Sequence, residues 1–446
     1  MAAITEARRR EIVDALRRGT VPRRGIEHLA TGLDRFTKAI DEELSSAASG
    51  KGAFKAVRGD YGCGKTFFAR WVAARALDKG FAVAEVQISE TETPLHRLET
   101  VYRRAVEGLR TQEWEEGAFR ALVERWLYDL EEEVLGQGKA QATDEAGLAK
   151  AIAELLEARL ARIAGMHPAF ASVLRAVYQA RLEGDPATAE GLLSWLMGEP
   201  TVAASVKKAA GVKGEVDTHA ASGFLRGLLA LLKQTGRAGL LLVLDEVETI
   251  QRMRGDVREK SLNALRQLID DVYGERYPGL YLVITGTPAF FDGANGVKRL
   301  QPLEQRLHVD FGPDPTFDSS RAVQIRLPAF DEGRLLEVGR KVRDLYPTPN
   351  AERVGSKVGD EVVTALARQV AGKLGGKVGV APRLFLKKLV GDVLDRVDEH
   401  EGFDPIGHYK LGVTAAEMSV EERVAAGVER SVDEIELDLS SPREPT

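Results

Sequence analysis

The stretch from Ala53 to Leu77, AFKAVRGDYGCGKTFFARWVAARAL, constrains the fold of this chain more than any other. It opens with a short apolar run, AFKAV, flanked by glycine, which reads as a buried strand. It closes with apolar residues at helical spacing (Phe68, Trp71, Val72, Ala76), a helix that Gly80 stops. Between them lies Gly59-Asp-Tyr-Gly-Cys-Gly64-Lys65-Thr66, which fits G-x-x-x-x-G-K-[ST]. Such a loop needs glycine, because several backbone N–H groups must point at one phosphate with no Cβ in the way. Lys65 supplies a point charge for the β and γ phosphates, Thr66 a hydroxyl for Mg²⁺, and the helix start its positive end. Gly59, Asp60, Tyr61, Gly62, Cys63, Gly64, Lys65, Thr66 and Phe67 are therefore the candidate nucleotide-binding residues.

Four more runs carry strand character: FAVAEVQIS from 81, GLLLVLDE from 239, GLYLVITGT from 279 and AVQIRL from 322. Continuous rather than alternating apolar runs imply strands covered on both faces, hence a parallel sheet between helices and an α/β fold. From about 95 to 235 nothing strand-like appears. Wide apolar stripes mark helices there: Phe119, Leu122, Val123, Trp126, Leu127, Leu130 and Val134; Leu148 to Ile163; Phe170 to Tyr178. They are expected to form an insertion over about 113–215, packing on itself or on a partner protein, with a loose exit loop near 207–216. A helix around 5–18 precedes the sheet region. Three helical segments, 331–345, 358–372 and 381–400, follow Pro328. The domains expected are a helical arm over 1–24, an α/β base over 25–330, a helical domain over 331–400 and an acidic extension over 401–446.

The second chemical constellation is LLLVLDEVE, where Asp245 and Glu246 end a buried strand, the position at which open α/β sheets bind ligands. Two adjacent carboxylates there would repel unless a cation and a water shared them. Asp245 fits as a partner of Mg²⁺ through water, and Glu246 as the base that orients or deprotonates the attacking water. A kinase for small molecules uses its substrate hydroxyl as nucleophile and has no need of that glutamate, so the pair favours hydrolysis. Thr285, ending the strand LVITGT, could hold the attacking water or the γ-phosphate, with Thr287 as the alternative. Arg299 and Arg306 lie just beyond it. Pro382 and Arg383 open a helix in GVAPRLFLKKL, which would project Arg383 from its start.

Composition excludes several classes. The chain has 446 residues, 44% hydrophobic and 29% charged, the balance of a globular protein. No apolar run approaches a membrane span, and the N-terminus lacks a secretion signal, so a cytoplasmic location is expected. The single cysteine, Cys63, excludes an internal disulfide and a cysteine metal cluster, and its alkylation is expected to obstruct the phosphate loop. A formal charge of −6 argues against a general nucleic-acid coat. The arginines clustered before residue 25 still leave room for contact with a phosphate backbone or an acidic neighbour.

Taken in order, these elements resemble an AAA+ ATPase of the branch holding replication initiators and Holliday-junction motors. The resemblance implies Walker A at Gly59–Thr66, Walker B at Leu241–Glu246, sensor 1 at Thr285, an arginine finger at Arg306 or Arg299, and sensor 2 at Arg383 in a helical lid. In that class the finger serves the γ-phosphate of a neighbouring subunit, so a homo-oligomer is implied. RRREIVDALRRGTVPRRGIEHLATGLDRF, GDYGCGKTFFARWVA, ITGTPAFFDG and the terminal FDPIGHYKL and DEIELDL resemble the BrxD-type ATP-binding proteins of BREX phage-defence systems. That implies ATP and Mg²⁺ as cofactors and other BREX proteins, a helicase-like one among them, as partners. The stretch after residue 400 is too short for the winged helix of DNA-loading initiators, so any DNA contact is expected to be backbone-directed and salt-sensitive. Two readings follow: an oligomeric ATPase that remodels DNA or a partner, and a nucleotide-gated scaffold with little turnover.

Overall fold

The computed structural model describes residues 4–138, 145–373 and 382–409, together with Arg423. Its contacts divide the chain into two compact units. One is built from Arg35–Arg58 and Val72–Arg326, the other from the residues up to Asp34, Gly59–Trp71 and the residues from Leu327 on.

The first unit holds the sheet. Its strands are β1 (Ala53–Arg58), β2 (Ala82–Gln87), β3 (Leu240–Asp245), β4 (Leu280–Gly286) and β5 (Gln324–Arg326), in the order β2-β3-β4-β1-β5. Every pairing is parallel. All of β4, and all but the last residue of β1 and β3, are buried. Successive side chains in a strand point to opposite faces, so both faces of this sheet are covered. The α/β class expected from the apolar runs is the one found, and all five runs are strands. The fifth, an edge strand that pairs with β1 alone, is shorter than its run.

One charge interrupts the run of β1. Lys55 is buried, with its ammonium 2.6 Å from Glu43 and donating at 2.6 Å to the Ala322 carbonyl. The Tyr281 hydroxyl donates to the other oxygen of Glu43 at 2.5 Å. A buried lysine is tolerable only when so paired. This cluster ties helix Asp34–Ala48, which carries Glu43, to β1, to β4 and to the backbone before β5.

The helical stretch between β2 and β3 runs through Ala118–Gly136, Glu145–Ala164, Pro168–Leu182 and Pro186–Leu196. Its stripes (Phe119, Leu122, Trp126, Leu130; Leu160, Ile163; Phe170, Leu174, Val177) are buried in one apolar core continuous with the sheet. The chain therefore supplies their partner. Helix Thr218–Gln234 is the junction, and its Phe224 is ringed edge-on by Tyr102, His167, Phe170 and Trp195, with centroids 4.8–5.8 Å away. Where a loose exit loop is expected, a short helix, Ala204–Ala209, comes first.

The second unit is helical. Helix Glu6–Arg17 buries Ile12, Val13 and Leu16 against Leu335, Val342, Leu366, Phe385 and Val393. Those residues lie on helices Glu332–Leu345, Asp360–Lys373 and Pro382–Lys388 and on the widened turn Leu389–Leu394, which continues into Asp395–Glu399. Arg17 pairs with Asp395 at 2.7 Å, and the Tyr346 hydroxyl donates to the same carboxylate at 2.7 Å. The phosphate-loop segment belongs to this unit, and Phe67 and Phe330 pack against its core. The acidic extension beyond Tyr409, Arg423 apart, lies outside the described residues.

Candidate nucleotide site

Chain continuity carries β1 straight into Gly59, and helix Lys65–Asp78 starts where the loop ends. Gly62 and Gly64 have φ of 77° and 92°, values that L side chains rarely adopt. Gly59 is required for a different reason: a Cβ there would lie 2.3 Å from the Cys63 sulfur. The loop is thus closed on its own thiol, and Cys63 is buried. Lys65 is also buried. Its ammonium donates to the carbonyls of Gly59 at 3.0 Å and Asp60 at 3.3 Å, and it stands 5.0 Å from the centre of the Tyr61 ring. Thr66 is half-buried beside it.

The acid pair belongs to the sheet unit. In the register, Gln87 of β2 faces Asp245 of β3, Leu244 faces Ile284 of β4, and Thr285 faces Val57 of β1. Gln87, Asp245, Thr285 and Arg58, which leads to the loop, therefore end at one carboxyl edge. Thr285 is fully buried, and its hydroxyl donates to Asp245 Oδ1. The Glu246 N–H points at both Asp245 Oδ1 and Thr285 Oγ1, each at 3.2 Å. Glu246 itself has φ 59°, an uncommon left-handed conformation for a side chain of its size. Its carboxylate accepts from the Gln87 amide at 2.7 Å.

Gln87 is the member of this group that sequence reasoning missed. A polar residue closing an apolar strand was the available signal, but only the strand order sets it beside Glu246. Thr285, expected to hold the attacking water or the γ-phosphate, gives its one hydroxyl proton to Asp245. Thr287 caps the short helix Pro288–Asp292 through the Phe290 N–H. Glu248, two residues beyond Glu246, is buried.

The arginines are spread out. Arg306, on helix Gln301–Leu307, forms a two-pronged pair with Asp270 of helix Gly255–Tyr273, its Nη2 at 3.0 Å. Arg299 is exposed and makes no ion pair with a described residue. Arg383, in the helical unit, is exposed and runs along the turn after helix Glu6–Arg17, where its guanidinium would lie 3.5 Å from a Cβ on Gly19. Among the described residues no group of three or more His, Cys, Asp or Glu could hold a metal ion. No helix among them is long and apolar enough to cross a membrane.

Residues 4–412 match a family model described as BREX system ATP-binding protein BrxC/D. No curated protein matches the chain. Among solved structures, the Aeropyrum pernix ORC1 protein in complex with DNA is similar at 14% identity, over 91% of this chain and 69% of that one, with a TM-score of 0.37.

Proposed function

The chain belongs to the BREX system ATP-binding family BrxC/D, and on that premise we propose that it hydrolyses ATP with Mg²⁺. One observation carries the step from binding to hydrolysis: Asp245 and Glu246 are fixed side by side, through Thr285, at the sheet edge where β1 delivers the chain to the phosphate loop. The donors fit the group. A threonine hydroxyl and a carboxylate are hard oxygen ligands, and Mg²⁺ takes few protein ligands beside waters and phosphate oxygens. When bound, Mg²⁺ and ATP supply charge compensation and the electrophilic γ-phosphorus.

In this reading the Gly59–Gly64 amides and Lys65 hold the phosphates, and Thr66 and, through water, Asp245 hold the cation. Thr285 keeps Asp245 in place. Glu246 takes up the proton of the attacking water once its carboxylate leaves Gln87. Arg306 is the arginine offered to a neighbouring copy, after release from Asp270, and Arg383 is the lid arginine. Nucleotide state is thereby coupled to assembly of copies and to remodelling of DNA or of another BREX protein.

The test is steady-state ATP turnover of the full chain with Mg²⁺, with and without duplex DNA, beside Glu246→Gln and an EDTA control. The expected result is turnover that EDTA abolishes and Glu246→Gln removes while ATP stays bound. Wild-type turnover in Glu246→Gln would overturn the assignment of the base. The second reading, a nucleotide-gated scaffold, draws support from Gln87: a base hydrogen-bonded to an amide is withheld from water. Negligible turnover under every one of these conditions would favour it.

A further inference from the structure

At the amino ends of β3 and β4, opposite the edge that carries Asp245, the sheet unit holds a cleft of about 250 Å³. Its floor includes the backbone of Gly239 and Gly279, and four cations line it: Arg162, Arg226, Lys233 and Arg237. No carboxylate lines it, in a chain whose net charge is −6. Arg237 is paired with Glu113 at 2.7 Å. Arg162, Arg226 and Lys233 form no ion pair or side-chain hydrogen bond with a described residue. The Nε of Arg226 is buried without a hydrogen-bond partner.

Such an arrangement is costly by itself. The buried Nε of Arg226, left unpaired, forfeits its hydration, and the exposed Arg162 and Lys233 add like charge beside it. The cost is felt by a neighbour, since burial and the charge of Arg226 together hold the His167 imidazole below its ordinary pKa. An anion would offset both penalties. Arg162 comes from helix Glu145–Ala164 and Arg226 and Lys233 from helix Thr218–Gln234, so the unpaired cations line the space from two separate elements. A volume below the roughly 300–1,000 Å³ of a site for a drug-sized ligand suits a compact anion. A duplex would instead need an extended basic face.

We propose that this cleft is a second anion site, separate from the phosphate loop, which takes a compact phosphorylated small molecule through Arg162, Arg226 and Lys233. Arginine supplies the planar fork that phosphate oxygens accept in pairs, and Lys233 a mobile point charge at the rim. The proposal is independent of hydrolysis and of the roles of Asp245 and Glu246.

The test uses the full chain carrying Lys65→Ala, which silences the phosphate loop. Inorganic pyrophosphate is titrated calorimetrically at low salt, and short duplex DNA in a second arm. Pyrophosphate is expected to bind the Lys65→Ala protein. Adding Arg162→Gln, Arg226→Gln and Lys233→Gln together should weaken it by about a hundredfold or more, since each charged hydrogen bond removed is worth roughly tenfold. Lys233 is exposed, so Lys233→Gln alone tests the site without risk to folding; it should weaken binding by about tenfold with an unchanged melting temperature. No pyrophosphate binding in the Lys65→Ala protein, or equal binding in the Lys233→Gln and triple variants, would overturn the proposal. Loss of duplex binding in the triple variant without any pyrophosphate binding would overturn it too, making the cleft a nucleic-acid contact.

Discussion

Glu246 sits between two neighbours that ask different things of it. Its backbone N–H is fastened toward Asp245 and Thr285, on the β4 side, while its carboxylate leans to Gln87, on the β2 side. β1, which leads to the phosphate loop, lies beyond β4. The Gln87 hydrogen bond therefore draws the proposed base away from the strand that leads to the phosphate loop. Gln87→Ala should raise basal ATP turnover a few-fold without changing ATP affinity, and a rate at or below wild type would show that the amide positions the base instead. Glu246→Gln should lower kcat by at least about a hundredfold, the lower bound of a general-base contribution. A filter-binding measurement beside the rate checks that ATP is retained. The acid pair itself was legible in the sequence, because two carboxylates closing an apolar strand are unusual enough to need a reason. Gln87 was not, since nothing local marks one polar strand end above another.

Among the elements, helix Thr218–Gln234 joins the helical stretch to the sheet, and Phe224 is where the joint is made. Four aromatic rings meet it edge-on, so its removal leaves a cavity that none of them can fill without losing its own contacts. Phe224→Ala should cost about 3–5 kcal/mol in urea denaturation. His167, the ring nearest Phe224, adds a pH dependence. Its folded pKa is lowered by burial and then by Arg226, so the fold favours the neutral ring. That stability is present above the free imidazole value of about 6.5 and is lost as pH falls through the lowered one. Thermal melts from neutral to mildly acidic pH should show a smaller loss for His167→Gln than for wild type. The apolar stripes of this region were readable as helices from spacing alone. Their partner was not, because a stripe reports that something covers it and never what.

For the whole molecule, the open matter is assembly. Arg306 is held by Asp270 on its own chain, so service to a neighbouring copy requires exchanging one acidic partner for a phosphate. If it does so, specific turnover rises with protein concentration, and Arg306→Ala lowers the concentrated rate by at least about tenfold while leaving the dilute rate unchanged. Equal loss at both ends of the concentration range would make the Arg306–Asp270 pair a structural one.

By itself the sequence determined what adjacent residues decide. A glycine loop between an apolar run and a helical one, five runs too apolar for a one-sided sheet, and an acid pair at a strand end are local patterns, and local sterics and solvation suffice to read them. Tertiary structure alone decided which strand ends are neighbours, that Thr285 gives its proton to Asp245, and that cations from positions 162, 226, 233 and 237 converge on one cleft. Each of these joins residues brought together by the burial of a shared core, a collective property that no short stretch of chain carries.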